Sequence, residues 1–195
     1  MARKAVEQEL NRDIILNVAR EQFAKRGYAA VSMRSIANAM GYSHGSLYYH
    51  FKEKAELFYA VVKQDFKVLL SRQRDIITQH AGDGQTLLHM MMSEFLKFGL
   101  QHRNHYEIMF LLKDADLQRY SRTEQAQVFE LFSEAVAKLL HERGEEDVQQ
   151  KLYTLPWSLF MSLHGFITYC IRFNQCYEEV EKLARDHVDF LCRSI

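Results

Sequence analysis

A short stretch of polar and aromatic residues in the first third of the chain has the chemistry of a surface that contacts nucleic acid. Hydroxyl, phenol and ammonium groups bind phosphate oxygens, and imidazoles and hydroxyls can also reach the edges of bases. Gly45 lies inside the stretch, and because it has no side chain the backbone there can approach a phosphate closely. The groups come from Ser43, His44, Ser46, Tyr48, Tyr49, His50, Lys52 and Lys54.

Two short helices joined by a tight turn are predicted to position these groups. Ser32 can cap a helix over Met33–Met40, which Gly41 ends. Ser43 can cap a second helix over His44–His50. This pattern is typical of a helix-turn-helix, whose second helix can enter the major groove of DNA.

Longer amphipathic segments flank the two short helices. Apolar residues at helical spacing predict a helix over Asn11–Lys25, which ends at Gly27. A long helix should begin near Lys52–Lys54 and run towards Gln79. The clearest break in the chain is the run Ala81-Gly82-Asp83-Gly84 that follows.

The rest of the chain also has helical periodicity, with poor strand signals. Pro156 lies within the fourth of the remaining segments, where it should either kink a helix or occupy its first turn with Thr154 as a cap. The sequence therefore predicts an all-α protein with a head at residues 1–53 and a helical body at 54–195. The remaining helices are expected at about 85–102, 104–112, 117–142, 148–173 and 177–193.

The head resembles the DNA-binding domain of TetR-type repressors. The resemblance covers Asp13–Leu57, and its main motifs are Phe23-Ala24-Lys25-Arg26-Gly27-Tyr28, Val31-Ser32-Met33-Arg34-Ser35-Ile36-Ala37, Met40-Gly41-Tyr42-Ser43-His44-Gly45-Ser46-Leu47-Tyr48-Tyr49-His50-Phe51 and Lys54-Ala55-Glu56-Leu57. By this resemblance, the phosphate contacts are Ser32, Ser43, Tyr49, Lys54 and His50. The positions that face bases or the groove edge are Arg34, His44, Ser46 and Tyr48.

The predicted recognition helix contains no Arg, Asn or Gln, so it lacks the usual bidentate readers of guanine and adenine. Arg34 in the preceding helix can supply one such reader, although a solvated surface charge is an alternative reading. Thymine methyl contacts and DNA shape can supply the remaining specificity. Tyr28 and Tyr42 are interpreted as packing residues.

The body resembles the family in architecture, and it also carries a Trp…His-Gly segment (Trp157–Phe166) found in one group of these C-terminal domains. In that family the last two long helices pair with those of a second subunit. A helix that is apolar nearly all round also needs burial on several faces. The resemblance predicts a homodimer, with contacts from Trp157, Phe160, Met161, Gly165, Val180, Leu183, His187 and Leu191.

Soft and aromatic side chains in the middle of the body suit an adaptable apolar pocket, although ordinary core packing is the simpler reading for any one of them. His89, His105, Tyr106 and Tyr169 could orient a ligand or be structural. The predicted pocket residues are Met91, Phe95, Phe98, Met109, Phe110, Phe129 and His164.

The charge distribution agrees with a DNA-facing head. Residues 1–54 have nine Lys and Arg against five acids, a net charge of +4, whereas the remainder carries −4. A basic head on an acidic body presents one end to phosphates. The charges of the head include Arg3, Lys4, Glu7 and Glu9 near the N-terminus.

Several other classes of protein are disfavoured by the sequence. It has no run of 18 uncharged apolar residues, and Met1–Asn11 lacks the apolar core of a signal peptide, so no membrane span and a cytoplasmic location are predicted. The three cysteines, at 170, 176 and 192, match no zinc spacing and are expected to be reduced. His102 and His105 have a metal-compatible spacing but no clear third ligand, and neither a metal nor a cofactor is predicted.

Together these features predict a DNA-binding regulator. The main hypothesis is a homodimeric repressor that a small apolar effector releases from a palindromic operator in double-stranded DNA. The alternatives are a regulator that requires its ligand or activates, and a helical ligand-binding adaptor that no longer reads DNA. The sequence contains no Gly-rich phosphate loop, no nucleophile elbow and no H-E-x-x-H motif, so an enzyme is not predicted.

Overall fold

The computed structural model describes residues 10–80, 82–112 and 115–195, and within them every regular element is a helix. The predicted charges Arg3, Lys4, Glu7 and Glu9, and Ala81 of the predicted break, lie outside the described residues. The all-α prediction is confirmed.

The head begins with α1 (Arg12–Ala30), which Asn11 caps by accepting a hydrogen bond from the Ile14 amide. Gly27 interrupts the helical backbone with φ 75° and ψ 157°, a conformation that suits glycine. The helical backbone therefore breaks at Gly27, where the sequence predicted the end of the helix, but one further turn of α1 follows and ends at Ala30.

The two short helices lie at their predicted positions, as α2 (Met33–Met40) and α3 (His44–His50). Ser32 and Ser43 accept hydrogen bonds from the amides three residues later, as N-caps do. Gly41 ends α2 in the left-handed conformation, with φ 76°. The helix-turn-helix geometry thus rests on two serine caps and one glycine.

A long helix, α4 (Lys54–Gln79), leads from the head into the body. The body continues with α5 to α10, and α5 lies at its centre, packed against α4, α6, α8, α9 and α10. These helices span Gly84–Gln101 (α5), Arg103–Phe110 (α6), Ala115–Gln118 (α7), Arg122–Glu142 (α8), Val148–Arg172 (α9) and Tyr177–Arg193 (α10).

Two details differ from the sequence-based expectation. The helix expected over 117–142 is divided into α7 and α8, because the chain turns at 119–121. Pro156 lies nine residues into α9, so the alternative that placed it in the first turn with a Thr154 cap is wrong. The Thr154 hydroxyl instead donates back to the Gln150 carbonyl, 3.4 Å away.

One continuous apolar core runs from the head through the body. In the head, α1 and α4 meet through Phe23 and Phe58, whose rings stack edge to face at 5.2 Å. Because α1 also packs against α6, the head is joined to the body by two helices rather than by a linker. The boundary between head and body at residues 53 and 54 stays a prediction.

Candidate nucleic-acid interface and effector cavity

The outward face of α3 carries the side chains that the sequence singled out. Leu47 is fully buried and holds the helix on the head core. Tyr49 projects from it with 89% of its surface exposed, and Tyr48 is 43% exposed. The ring of Tyr48 packs edge to face against His44 at 4.6 Å, so these two aromatic groups form one surface. The structure brings Ser43, His44, Gly45, Ser46, Tyr48, Tyr49 and His50 together around α3.

Arg34 lies beside this surface, on the exposed side of α2. It lines a cleft of about 590 Å³ together with Asn38 and the N-terminal turn of α3. A cationic side chain at the junction of the two helices is placed to reach the same groove as α3. The cleft residues are Arg34, Asn38, Gly41, Tyr42, Ser43 and His44.

Gly45 has no packing reason to be glycine. A Cβ built on it would meet only the Ser43 Oγ, at 3.9 Å, which is an ordinary contact. The open space in front of its backbone is available to another molecule, as the sequence suggested for a phosphate.

The serine hydroxyls near α3 are already engaged with each other. The Oγ atoms of Ser43 and Ser46 lie 2.6 Å apart, and Ser32 forms a reciprocal capping box with Ser35. These hydroxyls therefore have a role in helix capping, and any contact that they make to DNA would be additional to it.

Lys54 has a structural role that the sequence did not indicate. Its ammonium donates to the carbonyls of Tyr28 and Val31, each at 2.9 Å, and lies 4.0 Å from the centre of the Tyr28 ring. It thus ties the start of α4 to the connection between α1 and α2. A phosphate contact by Lys54 stays a prediction.

A cavity of about 830 Å³ lies in the body, between α8, α9 and the end of α6. Its volume suits a drug-sized or lipid-sized molecule. Aromatic and aliphatic groups form most of its walls, with polar groups on the α8 side. The lining residues are Phe110, Arg122, Gln125, Ala126, Phe129, Glu130, Ser133, Trp157, Phe160, Met161 and His164.

Three of the seven residues predicted to form the ligand pocket line this cavity, and their role in ligand binding stays a prediction. Phe110, Phe129 and His164 line the cavity. The other four are buried in the core between the helices and do not line it, because the inner faces of α5 and α6 fill that space; they are Met91, Phe95, Phe98 and Met109. The polar α8 residues were missed because charges on a helix face usually indicate a solvated surface.

A buried hydrogen bond orients the histidine of the cavity. The Tyr106 hydroxyl lies 2.6 Å from the His164 Nδ1, and Tyr106 is completely buried. Burial raises the pKa of Tyr106 well above its ordinary value and lowers the pKa of His164. Both groups are therefore neutral near pH 7.

The outer side of α9 has an apolar ridge with one member every four residues, which we call the α9 ridge. Its side chains are exposed although they are large, and a glycine lies in the middle. Its members are Tyr153, Trp157, Met161, Gly165, Tyr169 and Phe173. Leu183 and Phe190 of α10 are also exposed, by 59% and 66%.

The predicted dimer contacts fall into two groups. Trp157, Met161, Gly165 and Leu183 are exposed on this surface, and His187 is half-buried. Phe160 instead faces inward, where it lines the cavity and its ring lies 5.6 Å from that of Phe95. Val180 and Leu191 are instead buried within the subunit, where α10 packs on α5, so they are unsuited to a contact with a partner.

A buried ion pair joins the head to the body. Arg20 of α1 binds the carboxylate of Asp65 on α4, with Nη2 2.7 Å from Oδ1, and both side chains are almost completely buried. The Nδ1 of His105, on α6, lies 3.2 Å from the same carboxylate without hydrogen-bond alignment. Three helices therefore meet at Asp65.

Other chemistry in the described ranges is limited. Within residues 10–80, 82–112 and 115–195, no three His, Cys, Asp or Glu side chains are placed to hold a metal ion. Cys170, Cys176 and Cys192 are free thiols. Among the described helices, none combines the length and the hydropathy that a membrane span requires.

Comparison with known sequences assigns the head. Residues 15–61 match the family described as bacterial regulatory proteins, tetR family. The HTH-type transcriptional repressor KstR2 of Mycobacterium tuberculosis is 34% identical over 95 residues, which are 49% of this chain and 48% of KstR2. The chain thus spans about half the length of this curated relative.

Comparison with solved structures extends the likeness to the body. FadR from Bacillus subtilis, in complex with stearoyl-CoA, superimposes with a TM-score of 0.79 at 17% identity over 95% of this chain and 100% of FadR. The ketosteroid transcriptional regulator KstR2 of Mycobacterium tuberculosis gives 0.71 at 19% identity over 98% of each chain. At these identities the likeness concerns the fold. Residues 15–61 therefore match the tetR family of bacterial regulatory proteins in sequence, and the rest of the chain shares the fold of these solved regulators.

Proposed function

We propose that this chain is a DNA-binding transcriptional repressor that acts as a homodimer and is released from a palindromic operator by a small apolar effector. The observation that carries the proposal is the outward face of α3, where polar and aromatic groups surround a helix anchored by a buried Leu47. The relative KstR2, which matches about half of this chain, is named as a transcriptional repressor.

The dimer is supported by the α9 ridge. Six residues spaced by four form a ridge that can pack into the groove of an identical helix at a crossing angle of about −50°. Gly165 in its middle allows the two helix backbones to approach closely. Leu183 and Phe190 extend the apolar surface onto α10, so a second copy would cover a surface contributed by both helices.

A two-fold dimer would present two copies of α3 to one side of the DNA. Recognition helices about 34 Å apart fit successive major grooves, and their symmetry requires a palindromic site. The effector would occupy the cavity between α8 and α9 in each subunit. FadR, which shares the fold, was solved with stearoyl-CoA, and this agrees with an apolar, lipid-like effector.

The test is selection from a pool of random duplex DNA with the purified protein, followed by sequencing. Enrichment of a palindrome supports the proposal and identifies the operator. To remove any bound effector, the selection is repeated with protein that has been unfolded, washed and refolded. Failure to enrich any sequence after refolding would contradict DNA reading.

The sense of regulation is measured on the selected operator. Addition of an effector should weaken operator binding if the protein is a ligand-released repressor. A tighter complex in the presence of the effector would instead identify a regulator that requires its ligand.

A further inference from the structure

The body cavity has polar side chains towards both ends of its α8 wall, Arg122 and Gln125 at one and Glu130 and Ser133 at the other. Its α8 wall runs from Arg122 to Ser133, which at the helical rise corresponds to about 16 Å. Phe129, Trp157 and Phe160 form a continuous aromatic wall in the middle, with ring centres 4.2 Å apart for the first pair and 6.2 Å for the second. An occupant must therefore be elongated and largely apolar.

The Arg122 end of the cavity continues into a second, smaller cavity. This cavity of about 210 Å³ shares Phe110, Arg122 and Gln125 with the larger one, so Arg122 lies where the two meet. Its other lining residues are Met109, Leu112, Gln118 and Ser121. A ligand whose apolar part fills the larger cavity can extend a polar group past Arg122.

The charge at this junction is positive. Arg122 is exposed, and no carboxylate of the described part of the chain forms an ion pair with its guanidinium. Arg122 is also the first residue of α8, whose N-terminus has no side-chain cap hydrogen bond, so the partial positive charge of the helix end adds to it. Glu124 lies in the same turn but does not line either cavity.

His164 supplies a hydrogen-bond donor to the cavity. The hydroxyl of Tyr106 has His164 Nδ1 as its partner in the described chain, so the buried O–H must donate to that nitrogen to be satisfied. A neutral imidazole that accepts at Nδ1 carries its proton at Nε2. Because Nδ1 is occupied by Tyr106, the Nε2–H is the donor left for an occupant of the cavity that His164 lines.

We infer that the natural occupant is an amphipathic acyl compound, with its apolar chain along α8 and α9, its carbonyl oxygen on the His164 Nε2–H and its negative charge at Arg122. This inference rests on the proposed function, whose effector cavity it fills. The negative charge can come from a free carboxylate or from the phosphates of a coenzyme A thioester. In a fatty acid the carboxylate would supply both the acceptor oxygen and the charge, whereas in a coenzyme A thioester the carbonyl and the phosphates are separate groups; the experiment distinguishes the two.

The probe of the site is Trp157, the only tryptophan of the chain, which forms part of the cavity wall. Its fluorescence is titrated with palmitate, palmitoyl-CoA and the uncharged hexadecanol, each below its micelle concentration. We expect saturable binding of palmitate, palmitoyl-CoA or both, with a Kd about tenfold or more below that of hexadecanol. Whichever of the two binds more tightly identifies the source of the charge.

Three variants test the individual contacts. Arg122→Gln should remove the preference for the anion, whereas the matched control Arg143→Gln, which removes the same charge from the other end of α8 outside both cavities, should retain it. Tyr106→Phe keeps the aromatic packing but removes the hydroxyl that orients His164, so it should weaken binding of the acyl probes several-fold.

The inference is overturned if hexadecanol binds as tightly as the anions, if Arg122→Gln has no effect on the preference, or if none of the probes binds. Operator binding measured on the same samples separates this inference from the proposed function. Release of DNA by hexadecanol and palmitate alike would contradict the anionic head group and leave the ligand-released repressor intact. Tight binding of palmitate with unchanged operator affinity would contradict the ligand-released repressor and leave the anionic head group intact.

Discussion

The side chains on the outer face of the head differ in how firmly the fold holds them. Tyr49 is almost fully exposed, whereas the ammonium of Lys54 is held by two carbonyls and an aromatic ring. An exposed side chain such as Tyr49 can be replaced at little cost to stability, whereas replacing one that is bonded within the fold, such as Lys54, destabilises the head. Variants of the head therefore need a stability measurement beside every DNA-binding measurement.

Arg34 is expected to contribute sequence specificity. Replacing it with Gln should weaken binding to the selected operator by about 1–3 kcal/mol if it reads a base edge, with a smaller loss on unrelated DNA. The control is Arg26→Gln, which removes the same charge from another exposed position of the head. Equal losses for both variants, measured by fluorescence anisotropy, would reduce Arg34 to a general electrostatic role.

Lys54 is expected to stabilise the head. Lys54→Met removes two charge-assisted hydrogen bonds to backbone carbonyls and should lower the free energy of unfolding by about 1–3 kcal/mol. Lys52→Met, at an exposed position two residues earlier, should change it by less than about 0.5 kcal/mol. Urea denaturation measures both. If Lys54→Met unfolds like the wild type but loses DNA affinity, the phosphate contact is its main role.

At the scale of helices, the sequence is informative wherever a helix boundary depends on local chemistry. Ser32, Gly41 and Ser43 specify α2 and α3 through caps and a left-handed turn, and both helices lie where they are predicted. The cavity is harder to predict because its position depends on how distant helices pack. Gly99 shows why, since a Cβ there would lie 2.6 Å from the Ile167 Cδ1 of α9, a closeness that nothing in the local sequence of α5 reveals.

The α10 helix illustrates the same limit for the dimer surface. Its apolar residues occupy two neighbouring stripes, and the sequence alone does not separate the stripe that packs on α5 from the stripe that faces outward. Val180 and Leu191 belong to the inner stripe, and Leu183 and Phe190 belong to the outer one.

The exposed stripe gives a matched test of dimerisation. Leu183→Glu should raise the dimer Kd by about a hundredfold or more, because a charge would be buried unpaired between apolar surfaces. Lys182→Glu, one residue earlier and turned away from that stripe, should leave the dimer intact. Sedimentation velocity over a range of protein concentrations measures both. A wild-type chain that is monomeric, or a Leu183→Glu variant that dimerises normally, would contradict this surface.

At the scale of the whole molecule, three partly buried histidines couple stability to pH. Burial lowers the pKa of His102, His164 and His187 from the ordinary value of 6.5. The unfolded chain therefore binds more protons than the folded chain as the pH falls through 6.5. Stability from these groups is fully present above that value and is lost below it.

We accordingly expect the Tm to fall between about pH 7.5 and pH 5.5. Glu107, whose pKa burial raises from 4.5, acts in the opposite direction, but its ordinary value lies below this range. His164→Gln should reduce the pH dependence of the Tm, which calorimetry at several pH values measures. A Tm that stays constant or rises on acidification would contradict this account.

The position of Asp65 suggests how the cavity could influence the head. The helix α6 carries Phe110 at the cavity and His105 beside Asp65, and Asp65 binds Arg20 of α1. An occupant that displaces Phe110 would shift α6 and so change the environment of the Asp65 carboxylate. Because α1 is part of the head, the shift would reach the DNA-binding surface through a buried ion pair, whose energy is sensitive to small displacements.

This route predicts a variant that separates binding from coupling. His105→Asn should leave operator affinity and probe affinity close to wild type but reduce the factor by which each ligand weakens the other. His89→Asn, which removes a pairing with Asp189 between α5 and α10, is the control and should preserve that factor. The factor is measured in both directions, as operator affinity with and without palmitoyl-CoA and as probe affinity with and without operator, and the two values must agree by thermodynamic linkage. An unchanged factor in His105→Asn would show that the coupling passes through α4 or the dimer surface instead of α6.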